Sequence, residues 1–377
     1  MGCVRTIKVL IIFLLLFFIS KNISHSYTGE AGPPLLRMST GATTLAVGGG
    51  GIAFINEPNY MNSNPAGGDE KPIFKLSIVH QEWIYDVNYE SIYLSRGFKN
   101  RYFLGLGITY LYLPFIYYDY YGNKGQKYRI SQILGIINGG LLLKKVPVTL
   151  GINLKTFYNY IPENLYPDQN YFLFAMDFGA ISKLNILKFF VGEEPSFTFG
   201  FGIKNIGYGE FIKKLPTEFS AGIGYRPIKK ILILSQFNIP LYEPYNGSIG
   251  IEYSLRQDIF IRGGIHIKQN PMFGVGLGIR RKDVNINISY NPTPAFYNML
   301  SLSIDLNIGR TKIEKKQQAM KDLLIKALKE FKENKLVEAL ETINDLLEID
   351  PENEIALAIK EAIQKQMELN KKLEEIE

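Results

Sequence analysis

Apolar and polar positions alternate along most of residues 72–309. In 296–308 (FYNMLSLSIDLNI), Leu300, Leu302, Ile304, Leu306 and Ile308 fall on one face, and Ser301, Ser303, Asp305 and Asn307 on the other. A period of two describes a strand with one apolar and one polar face. The same pattern runs through 284–291, 272–280, 258–268, 248–255, 219–226, 197–204, 148–155 and 102–110. It is looser at 172–182 and 230–239, and weaker still at 73–80, 87–96 and 129–143. The pattern predicts about fourteen strands of roughly nine to twelve residues, the length of a tilted membrane-crossing strand. Leu302 and Ile304 are expected to face lipid and Ser303 the lumen, so that arginine is better tolerated at Ser303.

A soluble β-sandwich also alternates, but two features favour a closed barrel. The second face carries small residues such as Gly274, Gly276 and Gly278, which leave space along an inner wall. The connections also alternate in length. They are tight at 97–100, 144–147, 227–229, 256–257 and 281–282, and longer at 113–127, 159–170 and 206–216. Three connections break this rule: 183–195 is long on the short side, and 269–271 and 291–295 are short on the long side. Membrane barrels pair short turns at one end with longer loops at the other. In lipid a sheet must close so that every backbone group is paired. The expected fold is an all-β transmembrane barrel of about fourteen antiparallel strands, with an N-terminal plug and a small C-terminal α-helical extension.

Both ends of the chain differ in character from this region. Residues 1–26 read as a secretory signal peptide: Arg5 and Lys8, an apolar run over 9–19, then Ser24 and Ser26 around His25 before Tyr27. An uncleaved anchor is the other reading. All 35 glycines lie at or before Gly309. The remainder is rich in charged residues and has helical spacing. Leu323, Leu324, Ala327, Leu328 and Phe331 make one apolar stripe, and Leu336, Ala339, Leu340, Ile343, Leu346 and Leu347 a second, with a break at Asp350-Pro351. The expected organisation is a signal peptide over 1–26, a plug segment over 27–71, a barrel over 72–309 and a helical tail over 310–377. The plug is expected to fill the periplasmic half of the barrel, with Gly48, Gly49, Gly50 and Gly51 against the inner wall.

Composition removes several functions. The single cysteine, Cys3, excludes a disulfide framework and a cysteine-based zinc site. Of three histidines, His80 and His266 sit in strand patterns with no nucleophile motif nearby. No catalytic residue, metal ligand or cofactor is expected. The net charge of +6 is dispersed over the barrel, which argues against nucleic acid as a partner. Asp177, Glu252, Arg262, Lys268, Arg280 and Asp305 fall on the inner face, where ion pairs are expected to hold the plug.

Residues 35–68 (LLRMSTGATTLAVGGGGIAFINEPNYMNSNPAGG) carry a family signature. Leu36-Arg37, Gly41-Ala42, Leu45-Ala46, Gly48-Gly49 and the turn Asn64-Pro65-Ala66-Gly67 resemble the start of PorV/PorQ-like proteins, within the wider FadL-type group of outer-membrane barrels. Thr43-Thr44, Val47 and Asn62 depart from the pattern. The tail over 320–353 resembles one tetratricopeptide repeat, with Leu323, Ala327, Leu336, Ala339, Ile343, Leu347 and Pro351 at its usual places and Phe331 displaced. A single repeat cannot bury its own face, so Leu323, Ala327, Phe331, Leu336, Ala339, Ile343 and Leu347 are candidates for partner binding.

The resemblance implies a non-enzymatic barrel in the outer membrane, in contact with its lipid. It implies passage of long-chain hydrophobic molecules, or a structural, secretion-associated role with a periplasmic or secretion-system protein bound through the tail. Both barrel termini and the tail are expected in the periplasm. Phe115, Tyr117, Tyr118, Tyr120, Tyr158, Tyr160 and Tyr166 are candidates for an apolar binding surface with polar tips. They would serve equally as the aromatic girdle at the lipid interface.

Overall fold

The structure is a computed structural model that describes residues 32–54, 59–83, 86–143, 146–190, 192, 194–209, 214–268, 270–292, 298–309, 312–351 and 353–374. The signal peptide expected at the N-terminus lies outside these residues. The chain divides into two compact units between Ile308 and Gly309.

The first unit is a closed antiparallel barrel of fourteen strands in sequence order. The strands are β1 (Phe74–Glu82), β2 (Asn88–Phe98), β3 (Tyr102–Tyr118), β4 (Lys124–Leu143), β5 (Val148–Tyr160), β6 (Tyr171–Leu184) and β7 (Phe197–Gly209). They continue as β8 (Glu218–Tyr225), β9 (Ile231–Pro240), β10 (Asn246–Ser254), β11 (Ile259–Ile267), β12 (Met272–Arg281), β13 (Val284–Asn291) and β14 (Met299–Ile308). Closure comes from β1 and β14, whose register runs from Phe74 opposite Ile308 to Glu82 opposite Leu300. The end where β1 begins and β14 ends is called the turn end here, and the opposite end the loop end.

Alternation does what the sequence requires. On β14, Ser301, Ser303 and Asp305 are buried inside, while Leu300 and Ile308 are exposed on the outer face. Leu104, Leu106 and Ile108 of β3, and Ile152 and Leu154 of β5, belong to the same exposed apolar belt. Such a surface is stable against hydrocarbon and unstable against water.

One strand pair is much longer than its alternation suggests. The stretch 113–127, expected to be a loop, is mostly strand. Leu113 pairs with Ile130, Phe115 with Tyr128 and Tyr118 with Lys124, which leaves only 119–123 as the connection. Aromatic and β-branched residues at these positions favour extended pairing. The turn is closed by Asp119, whose Oδ1 accepts from the amides of Tyr121 (2.9 Å) and Asn123 (2.7 Å). This pairing outruns the neighbours: β2 meets β3 only as far as Tyr112, and β5 meets β4 only as far as Ser131.

The segment before β1 fills the lumen. It contains 3-10 turns at Pro34–Leu36 and Tyr60–Asn62 and the short helix α1 (Ala42–Ala46). Contrary to the sequence reading, it is not confined to one half of the barrel. Thr149, near the turn end of β5, donates to Glu70 Oε1 at 2.9 Å. At the other extreme Asn291, the last residue of β13, donates to the Leu45 carbonyl at 2.9 Å, and the Gly32 amide donates to Lys214 O at 2.9 Å. The plug therefore spans the barrel from one end to the other.

The second unit contains α2 (Lys312–Lys332), α3 (Leu336–Ile349) and α4 (Glu354–Glu374). Ala327, Leu336, Ala339, Ile343 and Ile363 form its core, with Phe331, Leu347, Ile359 and Met367 against them. This corrects the partner-binding expectation. Ala327, Phe331, Leu336, Ala339, Ile343 and Leu347 are used within the tail, because the third helix supplies Ile359, Ile363 and Met367 to cover them; Leu323 is half-buried. Among the described residues, the large apolar side chains left exposed are Ile325, Leu328, Val337, Ile355 and Leu357.

Candidate functional site

The plug meets the wall in two different ways. On the side of β1 to β6 it inserts side chains: Leu35, Leu36, Tyr60 and Met61 pack with Val79, Tyr89, Tyr93, Phe103, Leu134 and Phe157. Each such buried side chain contributes about 1.5–3 kcal/mol of hydrophobic stabilisation. On the side of β7 to β12 it also lays down backbone, as it does against Gly151 of β5. Gly200 faces the Ile52 carbonyl, Gly250 and Gly264 face Val47, and Gly274 faces the Leu45 carbonyl, while Gly222 leaves room for the Ile52 side chain. Gly48 completes this contact from the plug, its own backbone lying against Ile265. Gly50 lies against Ser248 on the wall, while the nearest neighbours of Gly49 and Gly51 include Ser39 and Ser63 of the plug itself.

Polar attachment is made mainly by amides and hydroxyls. Ser303 Oγ accepts from the Ala42 amide (2.8 Å) and Gln236 Oε1 from the Ile52 amide (2.8 Å). Asn153 donates to Met61 O (2.8 Å), Asn138 to Pro65 O (3.0 Å), Asn205 to Leu36 O (3.1 Å) and Thr198 to Ala53 O (2.8 Å). These side chains satisfy plug backbone that forms little regular structure of its own. In the turn signature, Asn64 Nδ2 donates to Ile52 O at 2.8 Å, its Oδ1 accepts from the Ala66 amide at 3.0 Å, and Gly67 N donates to Asn64 O at 2.9 Å. Pro65 lends its carbonyl to Asn138.

The inner ion pairs mostly run from wall to wall and do not hold the plug as expected. Lys155 pairs with Asp177 at 2.7 Å, Lys204 with Glu218 at 2.9 Å and Arg262 with Glu252 at 2.8 Å, each between neighbouring or nearby strands. Asp305 accepts from Ser77 (2.6 Å) and Asn287 (3.1 Å), again within the wall. Arg280 is exposed over the Phe260 ring, 4.6 Å from its centroid. Among the described residues, only Asp69 and Glu70 bring plug carboxylates to wall cations, Lys75 at 3.0 Å and Lys183 at 3.2 Å. Arg37 of the plug reaches Glu243 between β9 and β10.

Between the plug and the loop-end wall lies a cavity of about 360 Å³. Leu36, Met38 and Leu45 of the plug form apolar lining, with Trp83, Met272 and Met299 from the wall. Gln81, Gln236, Asn238, Asn291, His266 and Lys268 form polar lining. His266 Nδ1 lies 3.2 Å from the Gly48 carbonyl, so this histidine serves plug seating. His80 faces the opposite way, on the outer surface, with Nδ1 2.8 Å from Glu90 Oε1. Among the described residues no cluster of histidine, cysteine and carboxylates could hold a metal ion.

None of the seven aromatic residues singled out in the sequence lines this cavity. Phe115, Tyr117 and Tyr118 lie on the extended part of β3, and Tyr120, the most exposed at 97%, is in its turn. Tyr158 and Tyr160 are on the outward face of β5, Tyr158 stacking on Phe172 with centroids 4.4 Å apart. Tyr166 is exposed in the connection 161–170. The alternation of β5 puts its pair on the outer face of the barrel, away from the cavity. Sequence reasoning missed Gln81, Trp83 and Asn291. Their only signal was a polar or aromatic residue at an inward position near a strand end.

Solved structures share this fold at low sequence identity. The Pseudomonas putida toluene transporter TodX superposes with a TM-score of 0.50 at 11% identity, over 71% of this chain and 97% of its own. A TodX deltaS2S3 mutant, a monoaromatic hydrocarbon channel, gives 0.53 at 10% identity over 72% and 99%. The CymD monoaromatic hydrocarbon channel gives 0.50 at 11% identity over 72% and 98%. No curated protein matches the chain. A family model matches residues 28–310, which takes in the plug and the whole barrel, and the chain thus belongs to the uncharacterised protein family UPF0164.

Proposed function

We propose that this barrel sits in the outer membrane and passes small molecules with a hydrophobic body, long-chain ones included, with its plug controlling the route. The reading is carried by one observation: a closed barrel with an apolar outer belt holds, beside its plug, a cavity of about 360 Å³ open to both apolar and hydrogen-bonding contacts. TodX and CymD, which have this fold, are a toluene transporter and a monoaromatic hydrocarbon channel. In this reading the turn end, both barrel termini and the tail are periplasmic. The test is uptake of a long-chain fatty acid and of toluene into vesicles carrying the full chain. Uptake above that of protein-free vesicles is expected, and uptake of both solutes no higher than in protein-free vesicles overturns the reading.

A second reading, a structural or secretion-associated barrel of the PorV/PorQ kind, is favoured by the tail. It is a compact unit of its own with exposed Ile325, Leu328, Val337, Ile355 and Leu357, and its α3 and preceding helix have the look of a single tetratricopeptide repeat. Those exposed residues, and not the buried stripes, would meet a periplasmic or secretion-system protein. In-membrane cross-linking from Val337 and Ile355 tests this, and capture of lipid alone counts against it.

A further inference from the structure

The cavity's polar groups divide into two sets. Some charged groups already have partners: Lys204 is bound to Glu218 at 2.9 Å, and Arg37 to Glu243. The amides near β14 are not so well matched. Gln81 is fully buried, and neither its Nε2 nor its Oε1 has a hydrogen bond. Asn291, 2% exposed, gives its Nδ2 to Leu45 O and Phe273 O but leaves Oδ1 without a partner. The two flank β14, Gln81 opposite Ser301 and Asn291 opposite Met299, and both line the cavity.

A buried amide atom without a partner costs about 1–3 kcal/mol. Two of the three unmatched atoms are acceptors, so what completes them must donate. A bare hydrocarbon cannot donate, and a carboxylate would set its own lone pairs against them. Water can fill the role, and a ligand that displaces such water gains only if it reproduces the water's bonds. The terminal torsion of glutamine is broad, so Gln81 can present either amide atom. Leu36, Leu45, Met272 and Met299 supply the apolar counterpart in the same space.

We propose that the cavity takes a neutral amphiphile, an apolar chain whose hydroxyl or amide N–H donates to Gln81 Oε1, with Asn291 Oδ1 beside it. This deepens the passage reading and rests on it.

Trp83 is the one tryptophan of the chain and lines the cavity, so its emission reports occupancy. The full chain in phosphatidylcholine nanodiscs is titrated with octanol, octane and octanoate, each corrected for its partition into lipid. Octanol is expected to bind about tenfold more tightly than octane, the worth of one well-made hydrogen bond to a buried partner. Gln81→Met should bring octanol down to the level of octane and leave octane unchanged, which also shows that the variant cavity is intact. Octane binding as well as octanol overturns the proposal while the passage reading stands. So does octanoate binding more tightly than octanol, which would assign the site to Lys268 and an anion. If no probe alters Trp83 emission, both readings fall. Should Gln81→Met not fold, the three-probe comparison on the natural chain decides alone.

Discussion

Gly48 and Ile265 meet backbone to backbone. A Cβ on Gly48 would stand 2.6 Å from both the carbonyl carbon and the carbonyl oxygen of Ile265, and Gly48 holds φ at +73°. Contact and conformation both require glycine here. Gly48→Ala should therefore cost roughly 1–3 kcal/mol of plug seating. Gly263, on the same strand as Ile265, has its nearest such neighbour at 4.0 Å, so Gly263→Ala is the matched control. Limited proteolysis of the plug in intact vesicles should rise for Gly48→Ala only; equal rates for the two variants would remove Gly48 from the seat.

The two faces of β14 should fail in different ways. Ile304 faces outward, and Ile304→Arg should cost roughly 2–4 kcal/mol near the membrane midplane. Ser303 faces inward, but the space there is not open lumen: its Oγ accepts from the Ala42 amide. Ser303→Ala leaves that amide unpaired, at about 1–3 kcal/mol, and Ser303→Arg has no room. Barrel unfolding, read as the temperature of the mobility shift on semi-native gels, should drop for Ile304→Arg and hold for Ser303→Ala. Plug proteolysis should show the reverse.

The barrel was legible because a strand with one apolar and one polar face obeys a strict period of two, and 284–291 or 296–308 has nothing else to satisfy. The extension of β3 and β4 was not, since Pro114 and the tyrosine run at 117–121 break alternation once the pair outruns its neighbours β2 and β5. The need for a plug could be read from wall glycines such as Gly274. Its path could not, because it depends on single hydrogen bonds such as Asn291 to Leu45, separated by hundreds of residues with no spacing rule. The tail's stripes were legible as apolar faces, but their burial by α4 depends on helix packing that periodicity does not report.

Plug attachment at the turn end should be sensitive to acid. Burial pushes the Asp69 carboxyl up, but Lys75 at 3.0 Å, with the Lys71 amide at 3.0 Å, outweighs it and holds the group below its ordinary range. A depressed carboxylate pKa contributes stability that is complete above the unfolded value of about 4 and is lost as pH falls through the folded value. Plug proteolysis should therefore increase below about pH 4, and in Asp69→Asn this dependence should weaken while release at neutral pH increases. An unchanged acid profile in Asp69→Asn would assign the effect to other groups.

Damage to the tail's core should stay in the tail. Ile343 is fully buried among Ala327, Leu336 and Ala339. Ile343→Ala should cost about 2–5 kcal/mol, a large share of what so small a core supplies. Proteolysis of the full chain should then cut within 312–374 and leave a barrel with its normal heat-dependent mobility. Loss of the barrel in the same variant would show that the two units depend on each other for folding.

The last expectation concerns what the plug closes. A barrel of fourteen strands is wider than its own side chains can fill, since eight already leave room for a small ligand. Here the wall does still less to fill itself, because Gly200, Gly250, Gly264 and Gly274 meet plug backbone and not one another. The connections at 119–123, 241–245 and 161–170 are too short to fold in and replace it. Barrel closure does not depend on the plug, for β1 and β14 are paired along their whole length from Phe74 to Glu82. Deleting 28–62 while keeping residues 1–27 should therefore leave a barrel that still shifts on heating but conducts ions in planar bilayers as a wide, steady pore. The natural chain should show little conductance. Equal conductance in the two proteins would mean that the plug does not set the permeability of this lumen.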